Sequence, residues 1–196
     1  MNGLASALRK GLLTGLLLLL LPLPCLREPE AEIPQKPLTY TDRPISAYDA
    51  VIRKVARKEG WDWRLLAAIV YHESRFTNEA TSGKGATGLM QINSRRYSEE
   101  ALLDPETNLS IGARYLKKLQ KMFPAASPVE NLKFALAAFN LGDGRLRNLI
   151  SEAGAAGADT TRWDNVSVFL PPGHHTLAYV EKVLDSYDNY RRQYPE

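Results

Sequence analysis

A chain of 196 residues with a single cysteine and a net charge of +3 is long enough for one well-buried domain, and no second domain is expected. The single cysteine excludes an internal disulfide. Lys and Arg residues are spread along the chain rather than clustered in one segment, so nucleic acid is not expected as a partner.

The first 25 residues have the pattern of a signal peptide. Arg9 and Lys10 supply positive charge ahead of an apolar run from Leu12 to Leu21. A membrane-spanning helix needs about 20 apolar residues, whereas the core of a signal peptide needs roughly 7 to 15. The pattern therefore favours export over a permanent transmembrane anchor.

Cys25 lies just after this apolar run and resembles the lipidated cysteine of bacterial lipoproteins. Pro22 and Pro24 depart from that pattern, because such signals usually carry an aliphatic and a small residue there. Lipidation, cleavage at another position and an unmodified thiol are therefore all open. The resemblance implies attachment to a membrane through an N-terminal lipid, at the periplasmic face of a bacterial cell envelope. The outer membrane is the candidate membrane, and secretion is the alternative.

Residues 26–45 have the composition of a linker, since the segment is rich in proline and charge and lacks apolar periodicity. We expect the folded domain to occupy residues 46–196. From Ser46 onward the periodicity is helical nearly throughout, and no stretch shows the sustained alternation of a half-buried strand. The sequence therefore predicts a mostly α fold in a single domain.

Local signals place the first helices of this domain. Ser46 and Asp49 resemble a capping box that opens a first helix, which Gly60 should close. Asp62 is placed to cap a second helix that carries Glu73. Residues 76–98 are rich in Thr, Ser, Gly and Asn and predict a long loop or very short helices.

Similar signals mark the helices of the second half. Asp104 precedes a proline and marks a helix start. Ser127 to Glu130 form a capping box that opens an alanine-rich helix, and Gly142 should end it. The remaining predicted segments are a helix over 144–153, a loop over 154–173 and a last helix that includes 177–187.

Glu73 has the clearest chemical meaning of any side chain in the sequence. Leu65, Ile69 and Glu73 are spaced four residues apart, so the carboxyl group shares a helix face with apolar side chains. Burial favours the protonated form of a carboxyl group, and a neutral carboxylic acid can donate a proton to a leaving group. On its surroundings alone, Glu73 is a candidate general acid of the kind that glycoside cleavage requires.

The segment from Gly83 to Gly88 matches the dinucleotide-binding pattern G-x-G-x-x-G. That fingerprint follows a strand and opens a helix within a βαβ unit. Here a helix precedes the segment and no parallel strands are predicted. The glycines are therefore interpreted as allowing a tight turn, and no cofactor is expected.

Histidines offer no metal site at the level of the sequence. His174 and His175 are adjacent and point in different directions, and no further ligands occur at metal spacing. His72 points about 100° around the helix from Glu73, which favours a structural role. No metal is expected.

Five short motifs occur in an order that resembles the family 1 lytic transglycosylases, glycoside hydrolase family 23. The likeness runs from about residue 46 to about residue 190 and implies a lysozyme-like domain of the goose-type lysozyme and transglycosylase superfamily. The motifs are Glu73-Ser74, Ser82, Gly88-Leu89-Met90-Gln91-Ile92, Ala137-Ala138-Phe139-Asn140 and Tyr179-Val180.

The resemblance implies an enzyme that cleaves the β-1,4 bond between N-acetylmuramic acid and N-acetylglucosamine in peptidoglycan glycan strands. The muramyl C6 hydroxyl attacks and leaves a 1,6-anhydro ring, while Glu73 acts first as acid and then as base. Hydrolysis usually needs a second carboxylate, roughly 5 to 10 Å from the first. Five acidic residues are candidates for that role. Asp62 is a predicted helix cap, and the other four lie in or near loops: Glu79, Glu99, Glu100 and Asp104.

The resemblance also implies roles for residues around the acid. Ser74 would help to position Glu73, Ser82 and Gln91 would contact sugar groups, and Tyr179 would lie near the acid. The Gln91 amide both donates and accepts hydrogen bonds, as an N-acetyl group requires. Ordinary packing or support of the backbone is the open alternative for each of these side chains.

Phe139 departs from the family pattern, because relatives usually carry Tyr there and its hydroxyl can bond to the catalytic carboxyl or to substrate. That role must be absent or supplied elsewhere, with Tyr179 as one candidate donor. Asn140 keeps the amide of this motif, which either holds backbone or binds sugar. Met90 fits a groove wall and ordinary core equally well.

Two alternative functions stay open at this stage. A goose-type muramidase would share the domain and the acid but deliver water to the cleaved bond. A non-catalytic muropeptide-binding lipoprotein is kept open by the missing hydroxyl at Phe139. The motifs leave protein partners unknown.

Overall fold

The computed structural model describes residues 43–93, 95 and 97–195. The predicted signal peptide, Cys25 and the linker up to residue 42 lie outside the described residues. Eight helices and one two-stranded antiparallel sheet make up the described part. They are α1 Asp49–Glu59, α2 Trp63–Ser74, β1 Ala86–Thr87, β2 Ile92–Asn93, α3 Glu99–Leu103, α4 Pro105–Met122, α5 Pro128–Leu141, α6 Asp143–Ala155, α7 Trp163–Ser167 and α8 His175–Gln193. The prediction of a mostly α fold is confirmed.

The predicted helix ends follow the capping residues closely. Asp62 accepts a hydrogen bond from the amide of Arg64 at the start of α2. Asp104 and Ser127 cap α4 and α5 in the same way. Gly60 ends α1 with a φ of 68°, a conformation that glycine adopts without steric cost.

The first helix begins slightly later than its capping box suggests. The Asp49 carboxylate accepts bonds from the amides of Ile45 and Ser46 at 2.8 and 2.9 Å. Tyr48 occupies the N-cap position, and no side chain caps α1 there. Ser46 and Asp49 therefore organise the turn before α1 rather than its first helical turn.

Two short helices were not predicted. α3 and α7 each contain five residues, which is too short for apolar periodicity to be visible. α7 lies inside the predicted loop 154–173, and its Trp163 ring packs edge-on against Phe134 at 5.7 Å. The Trp163 amide also donates to a carboxylate oxygen of Glu130 at 2.6 Å, so α5 fixes this turn.

The small sheet occupies the region that was predicted as loop or very short helices. Ala86 pairs with Asn93 and Thr87 pairs with Ile92, and an isolated bridge joins Thr81 to Thr87. Strands of two residues carry no alternating pattern, so the sequence could not reveal them. The G-x-G-x-x-G segment forms a turn that leads into β1 and opens no helix.

α2 is the central helix of the described domain. Residues 65–70 are all buried, and a helix that is apolar on all sides must be surrounded by other elements. α2 packs against α1 and, more extensively, against α8. Because α2 carries Glu73 and α8 carries Tyr179, this packing brings the two side chains together.

α5 is the second buried helix, and its alanines allow a close approach of its neighbours. Ala135, Ala137 and Ala138 are fully buried, and α5 packs against α4, α6 and α8. Among the described helices, none is long and apolar enough to cross a membrane.

Candidate active site

Glu73 lies in the last turn of α2, where the chain leaves the helix abruptly. Arg75 and Phe76 have φ angles of 53° and 59°, in the left-handed region that non-glycine residues seldom occupy. Such backbone costs free energy and persists only where surrounding structure holds it. The turn therefore directs the chain away from Glu73 immediately after the acid.

The Glu73 carboxyl group is half-buried and titrates near neutrality. Burial raises its pKa from an ordinary 4.5 to about 7, and a hydrogen bond from Tyr179 partly opposes the rise. The Tyr179 hydroxyl donates to Oε1 of Glu73 at 2.6 Å. Burial and the adjacent carboxylate raise the pKa of Tyr179 well above its ordinary value, so Tyr179 remains a donor. Glu73 can therefore exchange a proton in both directions near neutral pH.

No other carboxylate contributes to the raised pKa of Glu73 among the described residues. Asp62 lies at the opposite end of α2, about 16 Å away along the helix axis. Burial would raise the pKa of Asp62, but hydrogen bonds from Arg64 and Tyr187 hold it below its ordinary value. Asp62 is thus a charged structural carboxylate. A polar cavity of about 610 Å³ opens at that end of α2, and its wall contains Asp62, Arg64, Tyr187, Asp188, Arg191 and Arg192.

Gln91 sits in the turn between the two strands and is committed partly to the backbone. Its Nε2 donates to the carbonyl oxygens of Ala80 and Gly88 at 2.9 and 3.0 Å. Its φ is 47°, which makes it a third left-handed non-glycine residue after Arg75 and Phe76. Within the described residues no group bonds to Oε1, so this oxygen is the atom that can accept a bond from a sugar amide.

Asn108 of α4 holds the backbone of this turn, a role that the sequence did not indicate. Its side chain is fully buried, and its Oδ1 accepts from the Met90 amide at 2.8 Å. Its Nδ2 donates to the carbonyl oxygens of Thr87 and Leu102, both at 2.9 Å. Gly88 lies directly against Asn108, and a Cβ atom there would overlap the Asn108 amide. This crowding explains the glycine in the Gly88-to-Gln91 motif.

Three other residues of the motifs serve the local fold in this structure. Met90 is fully buried and its sulfur packs against Gly112, which places it in the core. The Ser82 hydroxyl accepts from the amide of Ala86 at 3.0 Å and closes the glycine-rich turn. The Ser74 hydroxyl donates to the carbonyl oxygen of Val70 at 3.3 Å. This bond holds Ser74 to the helix backbone and does not involve Glu73.

Phe139 and Asn140 lie near the end of α5. The half-buried Phe139 ring packs against Tyr115 of α4, with ring centroids 5.8 Å apart. Asn140 Oδ1 accepts from the hydroxyl of the fully buried Thr176 at 2.7 Å. Thr176 lies one turn before Tyr179 on α8, so Asn140 fixes the start of the helix that carries the Glu73 donor.

The histidines contact neighbouring side chains in the described part of the chain. His72 Nε2 lies 2.9 Å from the Ser186 hydroxyl, which gives His72 a structural contact with α8. The rings of His174 and His175 stack with centroids 4.4 Å apart. In the described ranges, no three His, Cys, Asp or Glu side chains come together as a metal site.

The family model for the transglycosylase SLT domain matches residues 50–161, more than half of the chain. The chain therefore belongs to the transglycosylase SLT domain family. This confirms the family that the ordered motifs indicated.

Curated relatives are similar over most of the chain but are much longer. The chain is 32% identical over 169 residues to membrane-bound lytic murein transglycosylase F of Desulfosudis oleivorans, covering 76% of this chain and 37% of the relative. It is 38% identical over 131 residues to the protein of the same name from Stutzerimonas stutzeri, covering 65% of this chain and 27% of the relative. The chain thus spans roughly a third of the length of these relatives.

Solved structures confirm the lysozyme-like transglycosylase fold. An inactive mutant of lytic transglycosylase Slt from Pseudomonas aeruginosa matches with a TM-score of 0.59 and 29% identity, over 75% of this chain and 24% of that chain. The 70 kDa soluble lytic transglycosylase of Escherichia coli matches with a TM-score of 0.59 and 27% identity, over 77% of this chain and 25% of that chain.

Proposed function

We propose that this protein is a lytic transglycosylase that cleaves the glycan strands of peptidoglycan, with Glu73 as its acid and base. The observation that carries the proposal is the half-buried Glu73 carboxyl with a pKa of about 7 and a single tyrosine donor. No described carboxylate perturbs it, so a lone acid and base is the chemistry that this arrangement favours.

A lone carboxyl group can serve both halves of the proposed reaction. Protonated Glu73 donates its proton to the glycosidic oxygen, and the bond from that oxygen to muramyl C1 breaks. The resulting carboxylate then takes the proton of the muramyl C6 hydroxyl, whose oxygen forms a new bond to C1. The proton returns to Glu73, so the group is regenerated and no water is consumed.

The pKa of Glu73 suits both proton transfers. A group is most effective as acid and base when its pKa lies near the working pH, because both forms are then accessible. Burial raises the pKa of Glu73 to about 7, while the Tyr179 hydrogen bond stabilises the carboxylate formed between the two transfers. Tyr179 is therefore proposed as a residue that positions and tunes the acid.

Roles toward substrate are proposed for the turn around Gln91. Oε1 of Gln91 would accept a bond from a sugar N-acetyl amide, while Nε2 keeps the turn in shape. Ser82, Ser74, Asn140 and Met90 are proposed to act indirectly, because their contacts hold the turn, the end of α2 and the start of α8.

The names of similar proteins support this assignment. Two relatives are named membrane-bound lytic murein transglycosylases, and the solved neighbours are lytic transglycosylases. A further neighbour, with a TM-score of 0.58, is a complex of a 70 kDa soluble lytic transglycosylase with bulgecin A.

Digestion of purified peptidoglycan sacculi tests the proposal. The wild-type protein should release fragments whose muramyl ends are one water lighter than reducing ends, as mass spectrometry can show. Glu73→Gln should release almost none, while circular dichroism shows the same helical content. Reducing ends would instead identify a muramidase, and glycan binding without release by the wild type would identify a muropeptide-binding protein.

We also propose that the chain acts at the periplasmic face of the cell envelope, held there through Cys25. The support is the position of Cys25 after the apolar run, together with the membrane-bound relatives. Cells labelled with a radioactive fatty acid should yield a labelled wild-type protein in the membrane fraction. Cys25→Ser should lose the label, and a labelled serine variant would contradict lipidation at this residue.

A further inference from the structure

The positive charge of the chain is concentrated on two helices that the fold places side by side. α1 and α4 together carry eight Lys or Arg residues and three Asp or Glu residues, a net charge of +5. The whole chain carries +3, so the remaining residues are net negative. The basic residues look scattered in the sequence, but folding gathers 8 of the 25 onto these two neighbouring helices.

Specific contacts join the two helices along their exposed sides. Lys54 of α1 pairs with Glu106 of α4 at 2.8 Å, and both side chains are largely exposed. About one and a half turns further along α1 and about two turns further along α4, Glu59 pairs with Arg114 at 3.6 Å. The order of these pairs shows that the helices run parallel, so their outward sides form one continuous surface. We call this surface the basic face, and its cations are Arg53, Lys54, Arg57, Lys58, Arg114, Lys117, Lys118 and Lys121.

Six of the eight cations on the basic face have no acidic partner within the described part of the chain. Arg57, Lys58, Lys118 and Lys121 are all exposed, and no ion pair involves them. On α1, Arg57 lies about 140° and Lys58 about 120° around the helix from the buried Ile52. Their charge is therefore directed at solvent and is not neutralised by the protein.

Arg53 and Lys117, the other two cations without an acidic partner, are held in place by aromatic rings and backbone. The Arg53 guanidinium lies 3.4 Å from the centroid of the Trp63 ring. Lys117 lies 4.1 Å from the centroid of the Trp61 ring and donates to the carbonyl oxygen of Gly60 at 3.3 Å. These contacts leave both side chains positively charged while fixing them beside the unpaired ones.

We propose that the basic face binds the anionic phospholipid surface of a membrane. Each Lys or Arg close to an anionic leaflet adds to the attraction, so several fixed cations on one surface bind such lipids together. Neutral lipid would not be bound, because the attraction is electrostatic. The proposal depends on charge and placement alone and does not require the chemistry of Glu73.

The order of segments along the chain supports a membrane rather than a polymer in the cell wall. α1 begins about two dozen residues after Cys25 and the apolar run, a distance of at most roughly 80 Å when fully extended. Clusters of basic residues close to a membrane anchor commonly add electrostatic attraction to an anionic leaflet. A tether of this length keeps the basic face at high effective concentration beside the bilayer.

Binding through this face would not engage the candidate active site. None of the residues proposed to act on substrate belongs to the basic face. Tyr115, which packs against Phe139, follows Arg114 in α4 but points about 100° around the helix. Phospholipid and glycan would therefore contact different surfaces of the domain.

Vesicle co-sedimentation of the full chain tests this inference. One set of vesicles contains phosphatidylcholine alone, and the other also contains phosphatidylglycerol. The test variant replaces Arg57, Lys58, Lys118 and Lys121 with Gln. A matched control replaces four exposed cations on other elements, Arg145, Arg162, Lys182 and Arg192. Both variants lose four charges and keep the N-terminal segment, so the apolar run contributes equally.

The ratio of binding to anionic and neutral vesicles is the quantity that decides the outcome. The test variant should lower this ratio by about tenfold or more, and the control should change it by less than about threefold. The ratio for the wild type should fall toward one in about 1 M salt, where the Debye length is about 3 Å. Equal losses in both variants would overturn the proposal. It would also fail if the test variant bound vesicles normally but lost binding to sacculi, which would assign the face to a wall polymer.

Discussion

The Tyr179 hydroxyl donates a hydrogen bond of 2.6 Å to Oε1 of Glu73, a residue 106 positions earlier in the chain. The packing of α2 against α8 holds the two side chains in place, and Asn140 secures the start of α8 through Thr176. One donor and one acid therefore form the centre of the site. This pairing has separate consequences for the pH dependence of activity and for the stability of the fold.

Tyr179→Phe should lower turnover and shift the pH profile. A hydrogen bond to a charged group contributes roughly 1.5 to 3 kcal/mol, so turnover should fall by about 10-fold to 100-fold. The bond lowers the pKa of Glu73, and its removal should raise that pKa further above 7. The alkaline limb of kcat/KM, measured on sacculi, should therefore move to higher pH. An unchanged limb would show that Tyr179 does not tune the acid.

Glu73→Gln should make the folded state more stable at alkaline pH. In the folded protein the pKa of Glu73 is about 7, above its ordinary value of 4.5. The contribution of Glu73 to the free energy of unfolding is therefore complete below pH 4.5 and is lost as the pH rises through 7. Gln does not ionise and avoids the cost of a buried charge. At about pH 8 the variant should exceed the wild type by about 1 to 3 kcal/mol in free energy of unfolding.

Urea denaturation at about pH 4 and about pH 8 measures this effect, and Glu152→Gln serves as the control. Glu152 is an exposed carboxylate on α6, and its replacement should change stability equally at both values. The gain in the Glu73 variant should be present at the higher pH only. The same gain at both values would mean that packing, rather than ionisation, causes it.

The sequence predicted those parts of the site that depend on local pattern. Glu73 is visible because its spacing from Leu65 and Ile69 places a carboxyl group on an apolar helix face, and Asp62 is visible as a cap. The role of Asn108 was not visible, because its three backbone partners are 6 to 21 positions away in the chain. Bonds of that kind depend on tertiary packing, which no local pattern encodes.

The surface charge distribution is a second feature that local sequence pattern does not encode. α1 and α4 are separated by more than 40 residues of sequence, and each carries a modest excess of cations. The surface that they form exists because the fold packs α1 against α4. The basic residues are spread along the sequence, and only the fold brings these eight together.

Phe139→Tyr should have little effect on turnover. The carboxyl of Glu73 already receives a hydrogen bond from Tyr179, so a hydroxyl at position 139 has no vacant role toward the acid. The ring should keep its contact with Tyr115, and kcat should change by less than about threefold. A rise of tenfold or more in sacculus digestion would show that a tyrosine hydroxyl is limiting at this position.

Asn108→Ala should destabilise the turn that carries Gln91. It would leave the Met90 amide and the carbonyl oxygens of Thr87 and Leu102 without their side-chain partner. Each buried unsatisfied group costs about 1 to 3 kcal/mol, so unfolding free energy should fall by about 3 kcal/mol or more. Urea denaturation provides the measurement. Asn148→Ala, at an exposed position of α6, is the control. A loss no larger than that of the control would remove Asn108 from the support of this turn.

Gly112→Ala should destabilise the domain although alanine favours helices. Gly112 lies within α4. A Cβ atom added there would overlap the Met90 sulfur and would lie 3.0 Å from the Met90 Cβ atom. Overpacking a core typically costs about 1 to 3 kcal/mol, which outweighs the gain of about 1 kcal/mol in helix propensity. Gly144→Ala on α6 is the matched control, since nothing lies within 4 Å of its added Cβ. Thermal unfolding should therefore show a lower Tm for the first variant and an equal or higher Tm for the second. If both variants raised the Tm, Met90 would have room to move, and close packing would not explain the glycine at 112.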